Sequence, residues 1–130
     1  MGFLFKNLRV YQQALAFADA ASTQTAGFPP ACWHVRDQLN RASLSIALNI
    51  AESTGRVTSA DRRRFLIVAR GSVHECAALL DMCERKRLLP DAQRVELDEH
   101  LVTISKMLSG MIERYHGSDT MADQQEEYDA

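Results

Sequence analysis

Twelve residues, Arg41-Ala42-Ser43-Leu44-Ser45-Ile46-Ala47-Leu48-Asn49-Ile50-Ala51-Glu52, run with charges only at their two ends, and their polar side chains are spaced in order. On a helix advancing about 100° per residue, Gln38, Arg41, Ser45, Asn49 and Glu52 fall in a stripe about 80° wide. Leu39, Ala42, Ile46 and Ile50 flank it on one side, and Leu44, Leu48 and Ala51 on the other. A polar line between two apolar faces is expected to be buried and matched by partners, because unpaired polar groups are costly away from water.

The same periodicity predicts four helices. The first starts after Asn7, a suitable N-cap, carries Leu8, Tyr11, Leu15 and Ala18 at helical spacing, and stops near Thr25 before Gly27-Phe28-Pro29-Pro30. The second runs from Cys32 to Ser53, with Gly55 as a left-handed terminator. The third is capped by Thr58 or Ser59, shows Phe65, Val68, Ser72, Glu75, Leu79 and Met82 on one face, and ends near Leu89. Pro90 and Asp91 open the fourth, which carries Val95, Leu97, Leu101, Ile104, Leu108, Met111 and Ile112 and ends near Tyr115. Short loops and the lack of a strand pattern point to an all-α, antiparallel up-down-up-down four-helix bundle over residues 1–115. Residues 116–130 offer little to bury, carry five acids, and are expected to form a disordered tail.

Composition changes this picture in one respect. The net charge of −2 conceals +5 over residues 1–90 and −7 over residues 91–130, so a basic surface and an acidic fringe can coexist. Cys32, Cys76 and Cys83 read as small packing residues in a reducing compartment, and no signal-like or membrane-spanning run is evident, so the expected location is the cytoplasm.

Three groups of residues resemble motifs of a known family: Phe5-Lys6-Asn7-Leu8-Arg9-Val10-Tyr11 at the start; Asp37 to Ala42 with Ser45 to Glu52 in the second helix; and Arg64-Phe65-Leu66, Ala69-Arg70-Gly71-Ser72 and Glu75 in the third. Together, over residues 4–115, they resemble the 23S rRNA intervening-sequence proteins, also called S23-like proteins. The resemblance implies an antiparallel four-helix protomer assembled into a ring-like homopentamer. Some members are encoded within ribosomal RNA gene insertions. Related accessory proteins of diversity-generating retroelements bind nucleic acid and a reverse transcriptase. Two features differ from the family pattern: Ser53 stands where a glycine is usual, and the chain is slightly acidic where the retroelement members are strongly basic.

Candidate chemistry is confined to two clusters. Gln38, Arg41, Ser45, Asn49 and Glu52, complemented by Arg70, Ser72 and Glu75, are expected to form a buried polar network that sets helix register and partner choice. The competing use is a ligand or acid–base site built on Glu52 and Glu75. Arg56, Arg62 and Arg63, with Arg64 beside them, form a basic group at the start of the third helix. They read either as a solvated helix end with an intersubunit ion pair or as contacts to nucleic-acid phosphates. Arg62 and Arg63 are expected to face solvent, and Arg64 to pack toward another element.

His34, His74, His100 and His116 lack metal-ligand spacing, and Trp33 is expected to anchor its loop against Phe28. No catalytic motif, cofactor motif or metal signature is present, and a non-enzymatic binding or scaffold protein is expected. Its partners would be itself and RNA, DNA or a nucleic-acid enzyme, with no membrane; the alternative is a protein–protein adaptor without nucleic-acid affinity. The second apolar face of the second helix, with Leu44, Leu48 and Ala51, is expected to form an oligomer interface.

Overall fold

The computed structural model describes residues 2–115; the expected acidic tail lies outside the described residues. A 3-10 turn, Leu4–Asn7, leads into α1 (Arg9–Thr25), and a second, Pro30–Cys32, leads into α2 (Trp33–Thr54). Then follow α3 (Ser59–Arg85) and α4 (Asp91–Arg114), with no strand among the described residues. The four helices pack as an antiparallel bundle in which α2 and α3 make the most extensive contact.

Each helix contributes a stripe of aliphatic residues to one core. Phe17 of α1, Leu39, Ile46 and Ile50 of α2, Leu66 and Leu80 of α3, and Leu101, Ile104 and Leu108 of α4 are fully enclosed. Each such side chain contributes about 1.5–3 kcal/mol relative to an exposed one. Phe28 plugs the core beneath the α1–α2 connection, whereas Trp33 stands 53% exposed; the loop anchor is therefore Phe28 and not the tryptophan. The cysteines are free thiols, and burial beside Glu75 pushes Cys76 up to about 12. Burial, with Cys32 nearby, also raises Cys83.

The helix ends differ from expectation in three places. Leu8, without a side-chain cap, precedes α1, because Asn7 is taken up in the preceding 3-10 turn. Gly55 closes α2 in a right-handed conformation (φ −85°), its N–H bonded to the Glu52 carbonyl at 3.1 Å. The left-handed position falls instead at Arg87 (φ 54°), after α3 has ended at Arg85. There Leu88 N–H bonds Cys83 O at 2.9 Å and Arg87 N–H bonds Glu84 O at 3.0 Å, the paired bonds of a Schellman ending. Thr58 caps α3, its hydroxyl accepting from the Asp61 N–H at 3.1 Å.

The core face of α3 is rotated by about 90° from the expected one. Leu66, Ala69, Val73, Cys76, Leu80 and Cys83 point inward, while Val68, Glu75 and Met82 are exposed and Phe65 and Leu79 are half-buried. Both faces of α3 carry apolar residues. The row containing Ala69, Cys76 and Cys83 is the smaller one, and small side chains let helix axes approach closely enough to close the core.

Candidate functional site

Ser45 on α2 faces Ser72 on α3 with their Oγ atoms 3.0 Å apart, and either hydroxyl can donate. Asn49 Nδ2 donates to Ser45 Oγ at 3.0 Å and to the Ser45 carbonyl at 2.9 Å. These three short side chains form a closed seam between the helices.

The longer residues of the expected network do not join it. Gln38, Arg41, Glu52 and Glu75 are exposed on the protomer, and Arg70 turns toward α4, where Nη1 donates to Ser109 Oγ at 3.3 Å. The polar stripe runs along the rim of the α2–α3 contact. Ser45 and Asn49 are short enough to stay beneath α3, whereas long charged chains extend to water and avoid desolvation. Glu52 pairs with Arg56 one turn on. Glu52 and Glu75 therefore sit on a solvent-facing surface.

The Ser45–Ser72 pairing also fixes register: on antiparallel helices it sets Leu48 level with Ala69, next to Val68. Leu44 is 49% exposed, Leu48 58% and Val68 48%, all on the outer side of the α2–α3 pair. Gly71 lies among them with open space where a Cβ would be. Ala51 is half-buried and, with Thr54 and Gly55, borders a recess of about 400 Å³ against Phe3, Leu4 and Phe5.

At the start of α3 the arginines divide by role. Arg62 is only 6% exposed, and its Nε donates to the Arg56 carbonyl at 2.8 Å, tying α3 to the α2–α3 turn. This corrects the expectation that it faces solvent: position 62 lies on the inward side of α3, and its guanidinium serves the backbone of the turn. Arg63 is half-buried. Arg64 is exposed rather than packed, 3.6 Å from Asp61. Arg56 and Arg64 both approach the Phe65 ring, at 4.4 and 5.2 Å from its centroid, and the negative face of the ring steadies both cations. Phe65 as an organiser of this cluster was not singled out in the sequence. Its spacing from Arg64 is local, but the partner from the α2 side becomes adjacent only after the turn closes.

His74 Nδ1 donates to the Arg70 carbonyl at 2.9 Å, and His100 Nε2 donates to Gln13 Oε1 at 2.7 Å while its ring meets Phe17 edge-on. His34 is exposed, and His116 lies outside the described residues. Among the described residues no group of three or more His, Cys, Asp and Glu is placed to hold a metal ion. Nor is any helix among them long and apolar enough to cross a membrane.

The bundle is similar to the crystal structure of a protein of unknown function from the S23 ribosomal protein family of Bacteroides thetaiotaomicron. The two share 22% identity and superpose with a TM-score of 0.73, covering 79% of this chain and 97% of the other, which speaks for a common fold. No curated protein matches the chain. The pattern of the 23S rRNA-intervening sequence proteins matches residues 6–110, from the end of the amino-terminal turn through the Ser45–Ser72 seam to most of α4. The chain belongs to the 23S rRNA-intervening sequence protein family.

Proposed function

We propose that this protein is a non-enzymatic, self-assembling scaffold that engages RNA, DNA or a nucleic-acid enzyme through the arginines at the start of α3. The observation that carries the reading is the open apolar face of Leu44, Leu48 and Val68 on the outer side of α2 and α3. A second copy is the occupant that fits it. The face carries both signs of charge, Arg41 and Glu75 toward one end of it and Glu52 toward the other, so two copies can match opposite charges around an apolar centre. Family resemblance suggests a ring of five. A ring repeats Arg56, Arg63 and Arg64 once per subunit, so individually weak phosphate contacts add through multivalency. We place this activity in the cytoplasm.

Two measurements test the reading. Sedimentation equilibrium at micromolar concentration is expected to return a mass several times that of one chain; a single-chain mass removes the assembly. Binding of labelled RNA and DNA is expected at low salt and to weaken steeply as salt rises. If neither binds even at low salt, the adaptor reading takes over, which the excess of acid in residues 91–130 favours.

A further inference from the structure

Three aromatic rings form a ladder at the amino-terminal turn. Phe5 meets Tyr11 of α1 edge-on, with centroids 4.9 Å apart and planes at 73°. Phe3 stacks on Phe5 in turn, at 5.7 Å and 27°. Tyr11 is packed against the core and Phe5 is half-buried, whereas Phe3 is 69% exposed. The outermost ring is thus held by the one beneath it, and its ordering cost is met before any ligand arrives. The ladder ends beside the recess of about 400 Å³ that Phe3, Leu4 and Phe5 share with Ala51, Thr54 and Gly55 at the end of α2. Small-ligand sites usually measure about 300–1,000 Å³, so the recess admits one.

The surroundings are basic. Lys6 and Arg9 lie at the same end of the bundle as the arginines that open α3, and Arg114 closes α4 there, against Glu52, Asp61 and Glu113. Glu52 is paired with Arg56, and Asp61 lies 3.6 Å from Arg64, so neither acid is given over to Lys6. Lys6 Nζ stands 5.9 Å from the Phe3 centroid, at the outer limit of a cation–π contact, and gives up little by turning to a phosphate. Two copies joined end to end here would set like charges together, whereas a polyanion brings the opposite sign. An open ring beside a lysine on a basic surface supplies the two things a single strand needs: a π-face for a base and a cation for its phosphate. A duplex keeps its bases stacked on one another and cannot present one to Phe3 without unstacking it.

We propose that Phe3 is a stacking platform for an unpaired base of a single-stranded nucleic acid, with the recess beside Ala51 and Gly55 admitting the base and Lys6 meeting an adjoining phosphate. The site rests on the nucleic-acid reading above and narrows it in two respects. The strand is single, and the contact accepts any base, because every base has a π-face.

The test titrates fluorescein-labelled oligothymidylate and oligouridylate into the full chain at low salt, beside an abasic deoxyribose-phosphate strand of the same length. At least one base-bearing strand is expected to bind about tenfold more tightly than the abasic strand. Phe3→Leu keeps an apolar side chain but removes the π-face; it is expected to erase that preference and leave the salt slope unchanged, while Phe3→Trp retains the preference. Phe3 precedes the four helices and is exposed, so both variants are expected to keep the parental helicity by circular dichroism. Equal binding of base-bearing and abasic strands by the parent, or a preference that survives in Phe3→Leu, overturns the platform and leaves the nucleic-acid reading standing. Absence of binding by every strand removes both. If Phe3→Leu sediments at a lower mass than the parent, the ring belongs to a contact between copies and the proposal is overturned.

Discussion

Ser45 and Ser72 meet hydroxyl to hydroxyl at 3.0 Å between α2 and α3, and Asn49 donates its amide to the same Ser45 oxygen. Removing the Ser45 hydroxyl takes away the Ser72 partner, whereas removing the Ser72 hydroxyl leaves Ser45 with the Asn49 amide alone. Ser72→Ala or Ser45→Ala is expected to cost about 1 kcal/mol, whereas the double variant is expected to cost less than the sum of the two, because a matched apolar pair leaves fewer unsatisfied groups. Urea unfolding of the three variants gives the coupling; additivity would mean that the two serines act independently.

Arg87 occupies the left-handed position that closes α3, with φ 54°. A side chain there strains the backbone, and glycine relieves it at some entropic cost in the unfolded chain. Arg87→Gly is therefore expected to stabilise the protein by about 0.5 kcal/mol, raising Tm by about 2 °C. A drop in Tm would show that the Arg87 side chain makes a contribution larger than the strain.

Arg62 and Arg64 are two residues apart and have different work. Arg62→Ala removes a buried guanidinium that holds the Arg56 carbonyl, and is expected to destabilise by about 2 kcal/mol in urea unfolding. Arg64→Ser is expected to stay within about 0.5 kcal/mol of the parent and, under the proposed nucleic-acid reading, to lower the salt dependence of RNA binding by about one counterion per chain. Equal stability losses for both would contradict the division.

The sunken Cys76 thiol sets a pH dependence. Its folded value is raised to about 12, chiefly by burial and then by Glu75, from an ordinary value of 9.0. Above pH 9 the unfolded chain ionises this thiol and the folded chain does not, so the unfolded state binds fewer protons and stability falls as pH rises toward 12. Near pH 10 the loss is about 1 kcal/mol from this group. Cys76→Ala is expected to make the fall in urea midpoint between pH 8 and pH 10 shallower; an unchanged fall would place the titration elsewhere.

The exposed pair Leu44 and Leu48 offers a direct probe of assembly. Glutamate at both positions, Leu44→Glu with Leu48→Glu, is expected to leave helicity unchanged by circular dichroism and to convert the proposed assembly to single chains in sedimentation. Each side chain stands half out of the protomer, so the substitution costs little within it. Retention of the parental mass would place the interface on another face.

Local patterns already determined the four helices. Pro29-Pro30, Gly55, Thr58 and Pro90 mark breaks and caps that act within a few residues, and the apolar repeat of α4 at Leu97, Leu101, Ile104 and Leu108 has one dominant face. The family was legible as well, since its motifs are ordered along the chain. What needed the tertiary structure was every choice between two equally apolar sides. Helix α3 could have buried Val68 and Met82 or Ala69 and Cys76, and only its neighbours selected the slimmer row. The polar stripe of α2 likewise appeared uniform along the sequence, but a helix crossing over it covers Ser45 and Asn49 and leaves Arg41 and Glu52 at the rim. Arg62 became structural and Arg64 exposed for the same reason: periodicity gives a residue's angle on its helix, and the packing of the other helices decides which angles face water.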